Sequence, residues 1–226
     1  MKILVTGGAG FIGSNVVDAY IEKGYEVVVV DDLSSGKKEN LNKKVKFHKI
    51  DICDKALEGV FEKGIDIVNH HAAQVDVRKS IADPSFDARV NIEGSLNILE
   101  NCRKYEIQKI IFASSGGVIY GECGNLLPNE DSPVSPISPY GVNKYAMECY
   151  LSSYEKIYGL KYTVLRYGNV YGPRQDPYGE AGVVAIFSGK MLNNEEVNIF
   201  GWGASARLRL CRRCSEGEYF MSGKRR

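Results

Sequence analysis

No apolar run in the sequence approaches the ~18 residues that a membrane-crossing helix needs. The start, "MKILVTGG", passes straight into a short apolar run without a signal-peptide core. A membrane partner is therefore not expected. Cysteine is sparse and unpatterned through the body of the chain. Cys53, Cys102, Cys123 and Cys149 stand singly, without the spacing of a disulfide framework, and this points to a cytoplasmic setting. Strong net charge is missing as well, at +1 overall. The last 25 residues hold seven Lys/Arg against two Glu, and the rest hold 22 basic against 26 acidic side chains. A mildly acidic body of that kind does not draw nucleic acid or anionic lipid by long-range charge. Internal repeats and low-complexity stretches are absent too. What remains is 226 residues, 44% hydrophobic, enough to bury a substantial core.

Short β-branched runs alternate with helical patterns: "KILVTG", "EVVVVDD", "VKFHKIDI", "IDIVNHHAA", "KIIFASS" and "KYTVLRYGN". Runs such as Val27–Val30 are apolar without alternation, as in strands covered on both faces. Helices are expected over Phe11–Lys23, Phe86–Tyr105 and Tyr140–Tyr158, the last after the proline-broken loop "PNEDSPVSPISP". The fold class is α/β, a doubly wound parallel sheet.

Directly after the first strand, "TGGAGFIG" places Gly7, Gly10 and Gly13 at three-residue steps as a helix opens. Gly7 permits the tight turn, Gly10 lets a pyrophosphate approach the backbone, and Gly13 lets helix and strand pack closely. The free N–H groups and the dipole of the helix then bind phosphate. Asp31 ends the second strand, where a carboxylate accepts from both ribose hydroxyls and repels a 2′-phosphate. This favours NAD over NADP, although Lys37 and Lys38 follow shortly.

"YGVNK" stacks Tyr140 and Lys144 on one helix face. A phenol, with an ordinary pKa of ~10, is a poor base near neutrality. A neighbouring ammonium favours the phenolate and brings it towards the working range. After a nucleotide loop, the pair points to proton transfer at a carbinol beside a nicotinamide.

Taken in order, "TGGAGFIG", "HHAA", "FASSGGVIYG", "SPYGVNK" and "LRYGNVYGPRQ" resemble the extended short-chain dehydrogenase/reductases. Within them the sequence is most similar to the NAD-dependent nucleotide-sugar epimerases typified by UDP-glucose 4-epimerase. The resemblance runs from Met1 to about Gly201. It implies a Rossmann sheet of order 3-2-1-4-5-6 with a possible seventh strand, and a smaller C-terminal domain over the sugar nucleotide. By motif, Gly7, Gly10, Phe11, Ile12, Gly13, Asp31, Asp51, Ile52, Ala72, Ala73, Gln74 and Asn91 would line NAD. Tyr140 would take the proton from the sugar 4-hydroxyl, Lys144 would tune it and bind the nicotinamide ribose, and Tyr167 would flank the nicotinamide. Asn169 would meet the UDP-sugar. The reaction implied is UDP-glucose/UDP-galactose interconversion through a 4-keto intermediate, part of galactose metabolism. A net reductase or dehydrogenase of a nucleotide sugar, or a non-catalytic NAD-binding remnant, are the alternatives.

Gly116 stands where some epimerases carry the strand-end hydroxyl, so Ser115 is the expected substitute, with Ser114 the other candidate. The dehydratases of this group carry an acidic pair there and the sugar-acid decarboxylases a Glu; "GGV" has no carboxylate. Relatives often pair through two long helices, here 86–105 and 140–158, so a homodimer is the analogy.

From Trp202 the sequence changes character. "CRRC" (Cys211, Cys214) lacks the second ligand pair of a zinc site, so no metal is expected. The basic stretch lacks the aromatic interleaving of a nucleic-acid arm. The family's continuation resembles "DGxxxRDYVYVDDVVRAN". With one permitted coding of 201–221, restoring two bases after the Gly201 codon yields "DGEQARDYVYVDDVVRANIL". The Trp202–Gly203 junction forces Gly, and Glu216–Gly217 forces Lys or Arg. The expectation is thus a Rossmann domain over 1–201 and an out-of-frame tail over 202–226. That tail is expected to be disordered or loosely attached, with the substrate domain largely absent and activity impaired.

Overall fold

The computed structural model describes residues 1–123, 128–178, 182–198 and 208–221. In chain order the elements are β1 (Lys2–Thr6), α1 (Phe11–Glu22), β2 (Glu26–Asp31), β3 (Lys46–Lys49), α2 (Glu58–Phe61), β4 (Ile67–His70), α3 (Val77–Ala82) and α4 (Pro84–Ala88). A π-helical segment, Arg89–Gly94, leads into α5 (Ser95–Lys104). Then follow β5 (Lys109–Ser115), α6 (Pro139–Tyr158), β6 (Tyr162–Tyr167), β7 (Asn169–Tyr171), α7 (Val183–Leu192), β8 (Leu208–Leu210) and α8 (Cys211–Met221).

Six strands pair in the order β3-β2-β1-β4-β5-β6, all parallel. Alternate residues of each strand enter two separate cores. Leu4, Val28, Val68, Ile110 and Phe112 face Ile98 and Leu99 of α5 and Met147 and Leu151 of α6. Ile3, Val5, Val29, Ile67 and Ile111 face Val16, Val17 and Tyr20 of α1. Because both faces are covered, the central β1 and β2 read as near-continuous apolar runs. Burial of each such side chain contributes about 1.5–3 kcal/mol, so these layers hold the sheet together. The order reverses between β1 and β4, which opens a crevice at the C-terminal strand ends. Thr6, Asp31, His70, Ser115 and Tyr167 all end their strands at that edge.

Local sequence explains α6. Ser138 caps it by accepting from the Gly141 N–H at 3.2 Å, Pro139 opens its first turn, and Gly159 at φ 72° ends it. The helix expected over Phe86–Tyr105 begins instead at Pro84 and is widened by the π segment. Gly94 permits this close packing, since a Cβ there would meet Ile52 Cδ1 at 2.7 Å. Such a widening presents extra side chains to one face.

The main sheet has the expected order 3-2-1-4-5-6, with six strands among the described residues, and β7 pairs with β8 in a separate two-stranded sheet. Within the tail β8 and α8 form, and α8 packs against α1. Cys211 and Cys214 are buried with Val170, beside Phe11 and Ile12. The remaining tail positions, 202–207 and 222–226, lie outside the described residues.

This packing makes a prediction. In the native protein the exposed Cys149 should react with a thiol reagent at least ~100-fold faster than Cys102, Cys211 and Cys214. Denaturant should abolish the difference. Rapid native labelling of Cys211 and Cys214 would mean that α8 is not docked.

Candidate active site

The glycine turn is shaped by what a side chain would strike. Gly7, at φ +68°, would place a Cβ 2.6 Å from the Ala72 backbone N, and Gly13 would place one 2.2 Å from Gly7 O. A Cβ on Gly10 meets only Gly7 O, at 3.2 Å. Gly7 and Gly13 therefore serve the fold, whereas Gly10 leaves the backbone open at the start of α1. No side chain among the described residues caps that helix, so its first N–H groups are available to an anion.

Asp31 is buried; its Oδ2 accepts from the Ala9 N–H at 3.0 Å and its Oδ1 from the Leu33 N–H at 2.8 Å. Burial raises its pKa and these two bonds oppose the shift. Each oxygen keeps a lone pair for a ribose hydroxyl. Asp51 lies past the end of β3, its Oδ1 accepting from the Cys53 N–H at 2.9 Å, and Ile52 is buried. Phe11 and Ile12 pack against Val170, Cys211 and Cys214.

A buried polar chain stiffens the segment that carries Ala72, Ala73 and Gln74. The Ala72 N–H donates to Thr6 Oγ1 at 3.2 Å, and Thr6 Oγ1 lies 2.7 Å from His70 Nδ1. His70 Nε2 lies 2.9 Å from Ser95 Oγ, and the Ser95 hydroxyl donates to Asn91 O at 2.8 Å. A hydroxyl has one proton, and Ser95 spends it on a carbonyl. His70 Nε2–H must then be a donor, Nδ1 an acceptor and Thr6 the donor to it. Burial, with a smaller effect of the Lys144 charge, lowers the His70 pKa to about 3, so the ring stays neutral. Gln74 and Asn91 exchange two bonds: the Gln74 N–H donates to Asn91 Oδ1 at 3.0 Å, and Asn91 Nδ2 donates to Gln74 O at 2.9 Å.

Tyr140 and Lys144 share the buried face of α6. Lys144 Nζ donates to Ala113 O at 2.9 Å and lies 4.8 Å from the Phe112 ring centre and 5.8 Å from that of Tyr140. Burial lowers its pKa to about 8, against the opposing pull of Asp87 and Glu148. Ser115 is half-buried at the strand end. Ser114 faces α6 and donates to Glu148 Oε1 at 2.6 Å. Arg166 holds Glu148 through Nη2 at 2.6 Å and Tyr120 Oη through Nη1 at 2.8 Å. Tyr167 stacks on His71, ring centres 6.2 Å apart, and its buried Oη has no hydrogen-bond partner among the described residues. Asn169 is exposed on β7. Of the supporting residues, Thr6, His70 and Arg166 lie within quoted motifs without being singled out there, whereas Ser95, Asp87 and Glu148 lie in no motif and went unmarked.

The family model described as "NAD dependent epimerase/dehydratase family" matches residues 3–209. The chain belongs to that family. It is an NAD-dependent enzyme of the epimerase type, and the open Gly10 turn with the Asp31 carboxylate beside it fits a dinucleotide. The UDP-glucose 4-epimerase of Mycolicibacterium smegmatis is 46% identical over 213 residues, covering 92% of this chain and 68% of that one. The structure of the Thermotoga maritima UDP-glucose 4-epimerase with UDP-glucose matches with TM-score 0.94 at 52% identity, covering 98% of this chain and 73% of that one. The Thermus thermophilus UDP-glucose 4-epimerase in complex with NAD gives 0.93 at 45%, covering 97% and 74%. The chain thus spans about 68–74% of the length of these relatives.

Two outcomes test the site. Gly10→Ala should fold and lose about tenfold or more in NAD affinity, whereas Gly13→Ala should lose folding stability itself; melting curves and NAD titrations separate them. For Lys144, the folded pKa of about 8 lies below the ordinary 10.5. Below pH 8 the group is charged in both states and the fold carries the full burial cost; from 8 to 10.5 the folded state gives up its proton first and stability rises. Between pH 8 and 10.5 the wild type should therefore gain stability relative to Lys144→Met, whatever the difference between the two at pH 7. A wild type that loses stability relative to the variant over that range would contradict this.

Proposed function

We propose that the chain is the NAD-binding part of a UDP-sugar 4-epimerase that interconverts UDP-glucose and UDP-galactose through a 4-keto intermediate. The observation that carries the reading is the Tyr140–Lys144 pair, buried one helical turn apart with the ammonium anchored on Ala113 O. NAD, when bound, supplies a hydride acceptor and donor for the sugar C4. Tyr140 would take the proton of the 4-hydroxyl and return it to the same oxygen, whichever face of the turned 4-keto sugar is reduced. Lys144 supplies positive charge beside that phenol and a donor for the nicotinamide ribose. Gly7 and Gly13 shape the turn that lets Gly10 meet the dinucleotide, which Phe11, Ile12, Asp31, Asp51, Ile52, Ala72, Ala73, Gln74 and Asn91 line; Tyr167 flanks the nicotinamide and Asn169 meets the substrate. Ser115 is the strand-end hydroxyl, since Ser114 already gives its proton to Glu148.

The proposal extends to the setting and the tail. A homodimer through helices 86–105 and 140–158 is supported on the second of them by the exposed Val142, Tyr145, Tyr150 and Ile157. The lone free cysteines of the body support a cytoplasmic location. The tail reading, an out-of-frame peptide from codon 202, is supported by a misfit. Glu218 is fully buried, yet its Oε1 has no partner among the described residues. The restored coding places Ala at that position. Sequencing the DNA around codon 202 tests this, and turnover of the 226 residues alone is expected to be impaired.

Incubation with UDP-galactose and UDP-glucose should show interconversion without net change in NADH absorbance, slow for this chain. Tyr140→Phe should reduce it ~100-fold or more and leave NAD affinity within a few-fold. Stoichiometric NADH change would favour the reductase alternative, and undiminished turnover in the variant would remove Tyr140 from the chemistry.

A further inference from the structure

Asp87 is a fully buried carboxylate that no motif singles out. It sits on α4, just before the π segment, and both its oxygens are engaged. Gln74 Nε2 donates to Oδ1 and Asn143 Nδ2 donates to Oδ2, each at 2.7 Å. Gln74 belongs to the segment after "HHAA" and is bonded twice, backbone to side chain, with Asn91. Asn143 immediately precedes Lys144 on α6. One carboxylate therefore ties three segments together: the 74–76 turn, the helix that carries Asn91, and the turn of α6 that carries the ammonium.

The charges favour the same residue. Moving an isolated ion out of water is costly, so a buried cation needs a buried anion near it. Lys144 is nearly fully buried, and its hydrogen bond to Ala113 O is made to a neutral group. Two carboxylates act on it, Asp87 and Glu148. Glu148 is already matched by the Arg166 guanidinium. Asp87 has two neutral amides as hydrogen-bond partners among the described residues, so its charge is left to balance Lys144.

We propose that Asp87 is a positioning residue for the Tyr140–Lys144 pair, fixing α6 through Asn143, joining it to the Gln74 turn, and supplying the counter-charge of the buried ammonium. The inference rests on the reading of that pair and of Gln74 as parts of the NAD site. The other titratable groups that face Lys144 are Tyr140 and Glu148 on its own helix and the neutral His70 from β4.

The test measures NAD affinity of the full chain against pH, by fluorescence titration, with melting curves alongside. In Asp87→Asn one amide faces another donor and the counter-charge is lost. Affinity at pH 7 should fall about tenfold or more, and its loss at high pH should set in at lower pH than in the wild type, because an unsupported ammonium gives up its proton sooner. The double variant Asp87→Asn with Asn143→Asp keeps one carboxylate and one amide and still offers Gln74 an acceptor. It should recover affinity to within about threefold and restore the pH limb. Asn143→Ala keeps the charge, so it should weaken binding modestly and leave the pH limb in place, which keeps the test open if Asp87→Asn folds poorly. Val60→Ala, a core truncation in α2, controls for stability and should not move the affinity. Wild-type affinity and pH profile in Asp87→Asn, or failure of the swap to restore either in a folded protein, would overturn the proposal while the NAD site stood. No NAD binding by the wild-type chain would overturn the underlying reading as well.

Discussion

An ammonium held in the dry interior, with its nitrogen 2.9 Å from the Ala113 carbonyl, is the constraint around which this structure is arranged. A lysine so placed exposes almost none of itself and has lost most of its hydration. The fold tolerates it because the cation is met on several sides at once. A β5 carbonyl accepts from it, the faces of Phe112 and Tyr140 lie beside it, and two carboxylates act on it. The contacts come from β5, from α4 and from α6 itself, so strand and neighbouring helix together fix the turn of α6 that carries Tyr140 and Lys144. The cost in stability is local, and the gain is a preorganised charge in a medium that screens it weakly.

The sheet supplies the rest by topology. Reversal of strand order between β1 and β4 separates the loops that follow them, and the chain fills the gap with groups that have no freedom to collapse into it. The glycine turn cannot close, because Gly7 and Gly13 already sit against backbone. On the far side, Thr6, His70 and Ser95 form a hydrogen-bonded line with a single consistent direction of donation. A neutral histidine suits this place better than a charged one: a second cation near Lys144 would add to the burial cost already carried there.

Much of this could be read from the sequence. Glycine spacing after a β-branched run, an acid at the end of the next run, and a Tyr and Lys four apart each encode a local geometry. The six strands of the main sheet lie within the six short β-branched runs read from the sequence. The helix over 86–105 was legible as a helix, but not its π segment, because that depends on Gly94 meeting Ile52 from a distant part of the chain. Asp87 and Glu148 look like ordinary helix-surface acids. Their burial follows only from how α4 and α6 pack, and neither has a sequence neighbour that reveals its partner. The choice between Ser114 and Ser115 was open in the sequence for the same reason: strand alternation puts them on opposite faces, but only the fold places Glu148 opposite one of them.

The C-terminal helix illustrates how apolar and polar complementarity come apart. Cys211 and Cys214 are small and soft, and they fill the space beside Gly172, where a Cβ would come within 2.5 Å of the Cys211 sulfur. That is adequate packing, and almost any small side chain would supply it. The next turns of α8 are different. Glu218 brings a carboxylate against Asn69, within 3.2 Å of His71 Nε2, and close enough for its charge, after burial, to push the Tyr20 phenol up. Asn69 Oδ1 and Glu218 Oε1 are both left without partners among the described residues. Buried polar atoms in native proteins are nearly always paired, because each orphan costs about 1–3 kcal/mol. At these described positions volume is matched and hydrogen bonding is not. Because His71 also stacks on Tyr167, the mismatch bears on the wall of the proposed nicotinamide site as well as on the stability of the tail.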